Sequence, residues 1–184
     1  LAEFYEEATR TGTRFHSSWR QVARRTWTTH GVATGPITDT GQAAVQRAIA
    51  NLQAALAPGR VVETLLPATA PASLEPYRPN AYHPSETAFL YALAGVLKEE
   101  YMAIARAGLL VQIDDAWTVA LWDRIGIPMG LEAFKRRALQ RAEVLNHALA
   151  DIPEEQVRYH IYWGSWYSPH AYALPMAEAV DLLL

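Results

Sequence analysis

The chain has 184 residues, enough for one domain with a substantial buried core. With 51% hydrophobic and 19% charged residues it has a globular rather than a disordered composition, and a formal charge of −3 gives no electrostatic reason to expect nucleic acid or an anionic membrane as partner. It contains no cysteine, which excludes disulfides, thiolate metal ligands and thiol nucleophiles supplied by this sequence.

Residues 1–40 form an N-terminal segment, with a helix expected near Phe15–Arg25 and a loop at Gly31–Gly41. The start at Leu1 has neither an initiator Met nor the basic-then-apolar pattern of a signal peptide, so the chain reads as a piece of a cytoplasmic protein. No apolar stretch reaches the roughly 18 residues that span a bilayer. Arginines cluster at Arg20, Arg24 and Arg25 and again at Arg136, Arg137 and Arg141. Their helical spacing beside Ala or Glu marks solvated helix faces rather than a phosphate site.

From residue 41 the pattern is an alternation of helices and strands. Val45, Ile49, Leu52 and Leu56 form one stripe of a helix over Gln42–Leu56, ended by Pro58-Gly59. Val61–Leu66 reads as a buried strand, followed by a long loop carrying Ser73, Tyr77, Asn80, Tyr82 and His83. Ser85 is the expected N-cap of the next helix, with Glu86 in the dipole-favoured first turn and Gly108 as the stop. Leu109–Ile113 is a nearly continuous apolar strand, as expected where both sheet faces are covered. A helix over Leu131–Leu149 closes at Asp151-Ile-Pro153, Val157–Trp163 is the third strand, and Pro175 opens a last helix.

Alternation of this kind indicates parallel βαβ units, in either an open doubly wound sheet or a closed barrel. No glycine-rich turn follows a strand, so no nucleotide cofactor is expected. Three strands alone would leave long apolar edges, which implies further strands outside this sequence or in a partner.

In parallel α/β proteins sites form where the strands end at their carboxyl side. The residues there are Ser73 after the first strand, Gln112, Asp114 and Asp115 on the second, and His160, Tyr162 and Trp163 on the third, with His170 in the loop beyond. Adjacent acids at a buried strand end are placed to bind an ammonium group, coordinate a hard cation or act as a base; capping the following turn is the structural alternative. His160 shares a strand face with Tyr162, and either catalysis or a core hydrogen bond fits a strand histidine. Trp163, Trp166, Tyr167 and Tyr172 can line a pocket or pack a rim.

Three segments, in order, carry a resemblance. Leu66–Ser73 with Tyr82–Glu86, Glu99–Gly108 with Leu109–Asp115, and His160-Ile-Tyr-Trp-Gly-Ser165 with Ser168-Pro-His170 and Leu174-Pro175 together resemble the cobalamin-independent methionine synthase family, in its short single-barrel branch. The resemblance covers roughly residues 40–184. It implies that residues 41–184 are the central βα units of a single (βα)8 TIM-type barrel, to which this chain supplies about three strands. It also implies transfer of a methyl or other alkyl group to a small thiol such as homocysteine, within methionine biosynthesis. The expected partners are a thiol or amino-acid substrate and folate, with no nucleic acid and no membrane, and a homo-oligomer among the assemblies.

In that family zinc binds the thiol and stabilises its thiolate. By the resemblance, His160 matches the zinc histidine and Asp114 the aspartate that contacts the substrate amino group. Tyr162 stands where the family has its cysteine ligand, so zinc would sit in a degenerate site. His160, Tyr162 and Asp114 are the expected catalytic residues. Gln112, Asp114, Asp115, Ser73, Trp163 and His170 are the expected substrate contacts. The Tyr162 departure keeps two alternatives open: a zinc-free relative with lyase- or hydrolase-type acid–base chemistry, and a non-catalytic barrel protein.

Overall fold

The computed structural model describes residues 31–56, 61–164 and 173–182; the helix expected near Phe15–Arg25 lies outside them. In chain order the elements are α1 (Gln42–Leu56), β1 (Leu65–Thr69), α2 (Pro71–Leu74), α3 (Glu86–Arg106), β2 (Leu110–Asp115), α4 (Ile127–Met129), α5 (Leu131–Leu149), β3 (Val157–Ile161) and α6 (Met176–Ala179). The chain is therefore α/β, with three parallel strands in the order β1-β2-β3. Among the described residues no helix is long and apolar enough to cross a membrane.

Local chemistry accounts for the helix boundaries. The Ser85 side chain accepts a hydrogen bond from the Ala88 N–H at 3.0 Å, and Glu86 occupies the first turn of α3. Its far end is closed by Gly108, whose φ of 76° suits a residue without a Cβ. Pro175 precedes α6 in an extended conformation, as a helix-entry proline does.

β1 differs from its expected span. It begins at Leu65 rather than Val61 and continues through Pro67 to Thr69. Val61 and Val62 are exposed, because strand pairing starts only where Leu65 meets Leu110. Pro67 is tolerated for a geometric reason. The Thr64 carbonyl and the Ala70 N–H both bond to β2, so even-numbered peptide groups of β1 face that neighbour. The Pro67 nitrogen then faces away from β2 and costs no bond in the β1–β2 ladder.

All three long helices pack on one face of the sheet. Ile49 of α1, Leu90, Leu97, Tyr101 and Ile104 of α3, and Val144, Leu145 and Ala148 of α5 share one core with Ala68, Val111 and Ile113 of the strands. For α3 and α5 this follows from topology: right-handed crossovers put successive helices on the same side when each strand is added in the same direction. The other face carries Pro67, Thr69, Gln112, Asp114, Arg158 and His160, all half-buried or exposed. β2 was expected to be covered on both faces; among the described residues it is covered on one.

A smaller cluster joins Val119, Leu121, Phe134, Leu174 and Ala179, with Trp122 and Trp163 packed on it. The arginine reading also needs correction. Arg136 is exposed, but Arg141 is buried and Arg137 half-buried, both paired with Glu75. Arg141 also pairs with Glu86. α5 is thereby tied to the connection between β1 and α3, and its Arg137–Arg141 stripe faces protein rather than solvent.

Candidate functional site

The strand register brings Thr69, Asp114 and His160 side by side at the carboxyl ends of β1, β2 and β3. Alternation along each strand points all three to the face without helices. The His160 Nδ1 lies 2.9 Å from Asp114 Oδ1, and Gln112 Nε2 donates to the same oxygen at 3.0 Å. The pair is partly open, with 45% of the His160 side chain and 29% of that of Asp114 exposed.

This contact favours one tautomer. A carboxylate oxygen accepts, so the 2.9 Å contact is a hydrogen bond when Nδ1 carries the proton, which leaves the Nε2 lone pair free. Both side-chain bonds to Asp114 fall on Oδ1, so among the described residues its Oδ2 takes no hydrogen bond. Tyr162 extends the β3 ladder, its N–H donating to the Asp115 carbonyl at 3.0 Å. Its ring lies against His160, with centroids 4.6 Å apart and planes tilted by 35°.

Asp115 faces the helices and is buried. Its Oδ1 accepts from the Trp117 and Thr118 N–H groups at 3.0 and 2.9 Å. Its Oδ2 accepts from Thr118 Oγ1 at 2.6 Å and from the Tyr159 hydroxyl at 2.8 Å. Ser73, also buried, accepts from the Ala116 N–H at 2.8 Å, while its hydroxyl sits 3.4 Å from the Asp114 carbonyl and 3.5 Å from Asp115 Oδ1. The Tyr101 hydroxyl donates to the Thr69 carbonyl at 2.6 Å. Burial, reinforced by the Asp115 charge, holds the Tyr159 hydroxyl far above its ordinary range, so it remains a neutral donor. Tyr101 is held up in the same way, first by burial and then by Glu100 and Asp115.

Gln112, Asp114, His160 and Tyr162 thus assemble into one group. Ser73 and Asp115, expected as substrate contacts, lie beneath it on the helix side, where turn capping and strand tethering occupy them. Trp163 turns away as well: its indole N–H donates to the Leu174 carbonyl at 2.8 Å and its ring joins the smaller cluster. His170 lies outside the described residues, as do Trp166, Tyr167 and Tyr172. Tyr101, Thr118 and Tyr159 were not singled out from sequence. For Tyr159 a signal existed: strand parity places it opposite His160 and on the same face as Asp115.

No family model, characterised protein or solved structure matches this chain. Among the described residues no three His, Cys, Asp or Glu side chains come together so that they could hold a metal ion. His160 Nε2 offers one nitrogen ligand, and the neighbouring Tyr162 offers a phenol where a thiolate would serve. That donor set falls short of the three or four ligands zinc takes, so these residues do not by themselves fit a zinc site.

Proposed function

We propose that the chain is the central part of a (βα)8 barrel enzyme of the cobalamin-independent methionine synthase type, transferring a methyl or other alkyl group to a small thiol such as homocysteine. The one-sided packing of the helices supports the barrel. A doubly wound sheet needs apolar residues on both faces, whereas here one face bears Gln112, Asp114, Arg158 and His160. The members of that face at the carboxyl ends, Asp114 and His160, suit the polar mouth of a barrel. The free edges of β1 and β3 then receive the remaining strands.

The observation that carries the reaction is the Asp114–His160 pair. With Nδ1–H held by the carboxylate, Nε2 is a base aimed from the strand ends. It takes the S–H proton of the thiol, and Asp114 stabilises the imidazolium formed. The thiolate sulfur forms a bond to the alkyl carbon as the carbon–nitrogen bond of the donor breaks. The leaving nitrogen recovers a proton from the imidazolium, so protons and electrons balance. No step is routed through zinc.

The test is methionine formation from homocysteine and 5-methyltetrahydrofolate by the full-length protein, with and without added zinc. Asp114→Asn and His160→Ala should each lower the rate by about 10²–10⁴-fold, the usual contribution of a positioned acid–base group. Absence of alkylation of homocysteine and of other small thiols under both conditions would sink this reading. A second reading, acid–base chemistry of lyase or hydrolase type, is favoured by the stacking of Tyr162 on His160, which places a phenol beside the imidazole. Turnover of a non-thiol substrate that survives exhaustive chelation and falls in Tyr162→Phe would select it.

A further inference from the structure

Two cross-strand contacts link the ends of β2 and β3, one on each face of the sheet. Asp114 meets His160 on the open face, at 2.9 Å, and Asp115 meets Tyr159 on the helix face, at 2.8 Å. The residues of the second contact are the immediate chain neighbours of those in the first. We infer that Asp115 and Tyr159 are positioning residues, whose partly buried bond holds the Asp114–His160 pair in register. This inference deepens the proposed reading and concerns the same site.

Three observations support it. First, the Asp115 carboxylate is almost fully buried, at 3% exposure, in a position where the core pattern of Val111 and Ile113 calls for an apolar residue. Burying a charge is costly even when it is well bonded, and an apolar replacement of similar volume is often at least as stable. Local rules are broken in this way mainly where function needs it. Second, its partners come from all three strand ends: Ser73 after β1, Thr118 after β2 and Tyr159 on β3. Third, Ser73 also approaches the Asp114 carbonyl, and the Ala70 N–H donates to that same carbonyl at 3.0 Å. The backbone of the dyad carboxylate is therefore held from beneath while its side chain stays open above.

The experiment reads the tautomer of His160 directly, by long-range nitrogen–proton correlation spectra of the full-length 15N-labelled protein at a pH where the imidazole is neutral. His160→Gln assigns the signal. Tyr159→Phe removes only the hydroxyl and leaves the ring packing, so it folds even where Asp115→Asn does not. The Nδ1–H form should predominate in the parent protein. Its ratio to the Nε2–H form should fall about threefold or more in Tyr159→Phe, the scale of coupling within one hydrogen-bond network. Val144→Ala, a fully buried core truncation on α5, serves as the control and should leave the ratio unchanged despite lowering thermal stability. An unchanged ratio in Tyr159→Phe, or an equal change in Val144→Ala, overturns the positioning role. No substrate enters this readout. A protein that transfers no alkyl group yet shows the Tyr159→Phe shift would lose the functional reading and keep the positioning one.

Discussion

Arg141→Met tests how α5 is held to the loop that leads into the site. The Arg141 side chain is 2% exposed and that of Glu75 12%, with Arg137 and Glu86 completing the group. Removing one partner of a buried ion pair costs about 3–5 kcal/mol, chiefly because the other charge is left buried without compensation. Here Arg137 still reaches Glu75 at 3.2 Å, and Glu86, with 60% of its side chain exposed, can be rehydrated. The loss should therefore be about 2–4 kcal/mol, or about 5–15 °C in Tm for a protein of this size. Paired urea and thermal unfolding measure it. The pH dependence supplies a second check. Burial holds the Glu75 carboxyl above its usual range, and Arg141 is the foremost influence pulling it down. Without Arg141 the folded-state pKa climbs further above the unfolded value. A carboxyl raised on folding contributes stability that is present below its unfolded pKa and lost as pH rises through the folded one. The deficit of Arg141→Met should accordingly be small in acid and grow toward neutral pH. Adding Glu75→Leu should recover most of it. A loss under about 1 kcal/mol at neutral pH with no trend would mean that the guanidinium is solvated.

Two further outcomes separate the faces of the sheet and the effect of burial. Ile113→Ala should cost about 2–5 kcal/mol in chemical unfolding because its side chain is fully buried against the helices. Gln112→Ala, one residue earlier on the open face, should cost less than about 1 kcal/mol, and similar losses for the two would contradict the assignment of faces. Glu100 is half-buried, and desolvation, followed by the Asp39 charge, holds its carboxyl above the usual range. Its contribution is greatest below the unfolded pKa and is lost as pH rises through the folded one. Glu100→Gln, permanently neutral, should therefore gain about 0.5 kcal/mol at neutral pH after allowance for solvent screening. That gain should fade in acid, and a gain that persists there would point to a packing effect instead.

Much of the architecture was legible because it is written in short-range chemistry. The stripe over Gln42–Leu56, the Ser85 cap and the Gly108 stop each depend on residues within a few positions of one another. The alternation of helix and strand periods was enough to imply a parallel sheet. The start of β1 was not legible, because Val61 and Val62 have the β-branched character of a strand but no neighbour to pair with. Nor was the fate of the arginines. Spacing places Arg137 and Arg141 on one face of α5, but only the path of the chain after β1 brings Glu75 to meet them.

For the site, the sequence by itself determined which residues stand at the strand ends and which share a face, since strand parity and element order are local properties. That puts His160 with Tyr162 and Gln112 with Asp114. Tertiary structure decided the rest. The register between β2 and β3 sets Asp114 against His160 and so favours the tautomer with the proton on Nδ1. The packing of the helices on one face also decides the surroundings of two adjacent acids that parity sets on opposite sides. Asp114 opens onto the uncovered face, while Asp115 turns toward the helices, where Thr118 and Tyr159 satisfy a charge that would otherwise be too costly to bury.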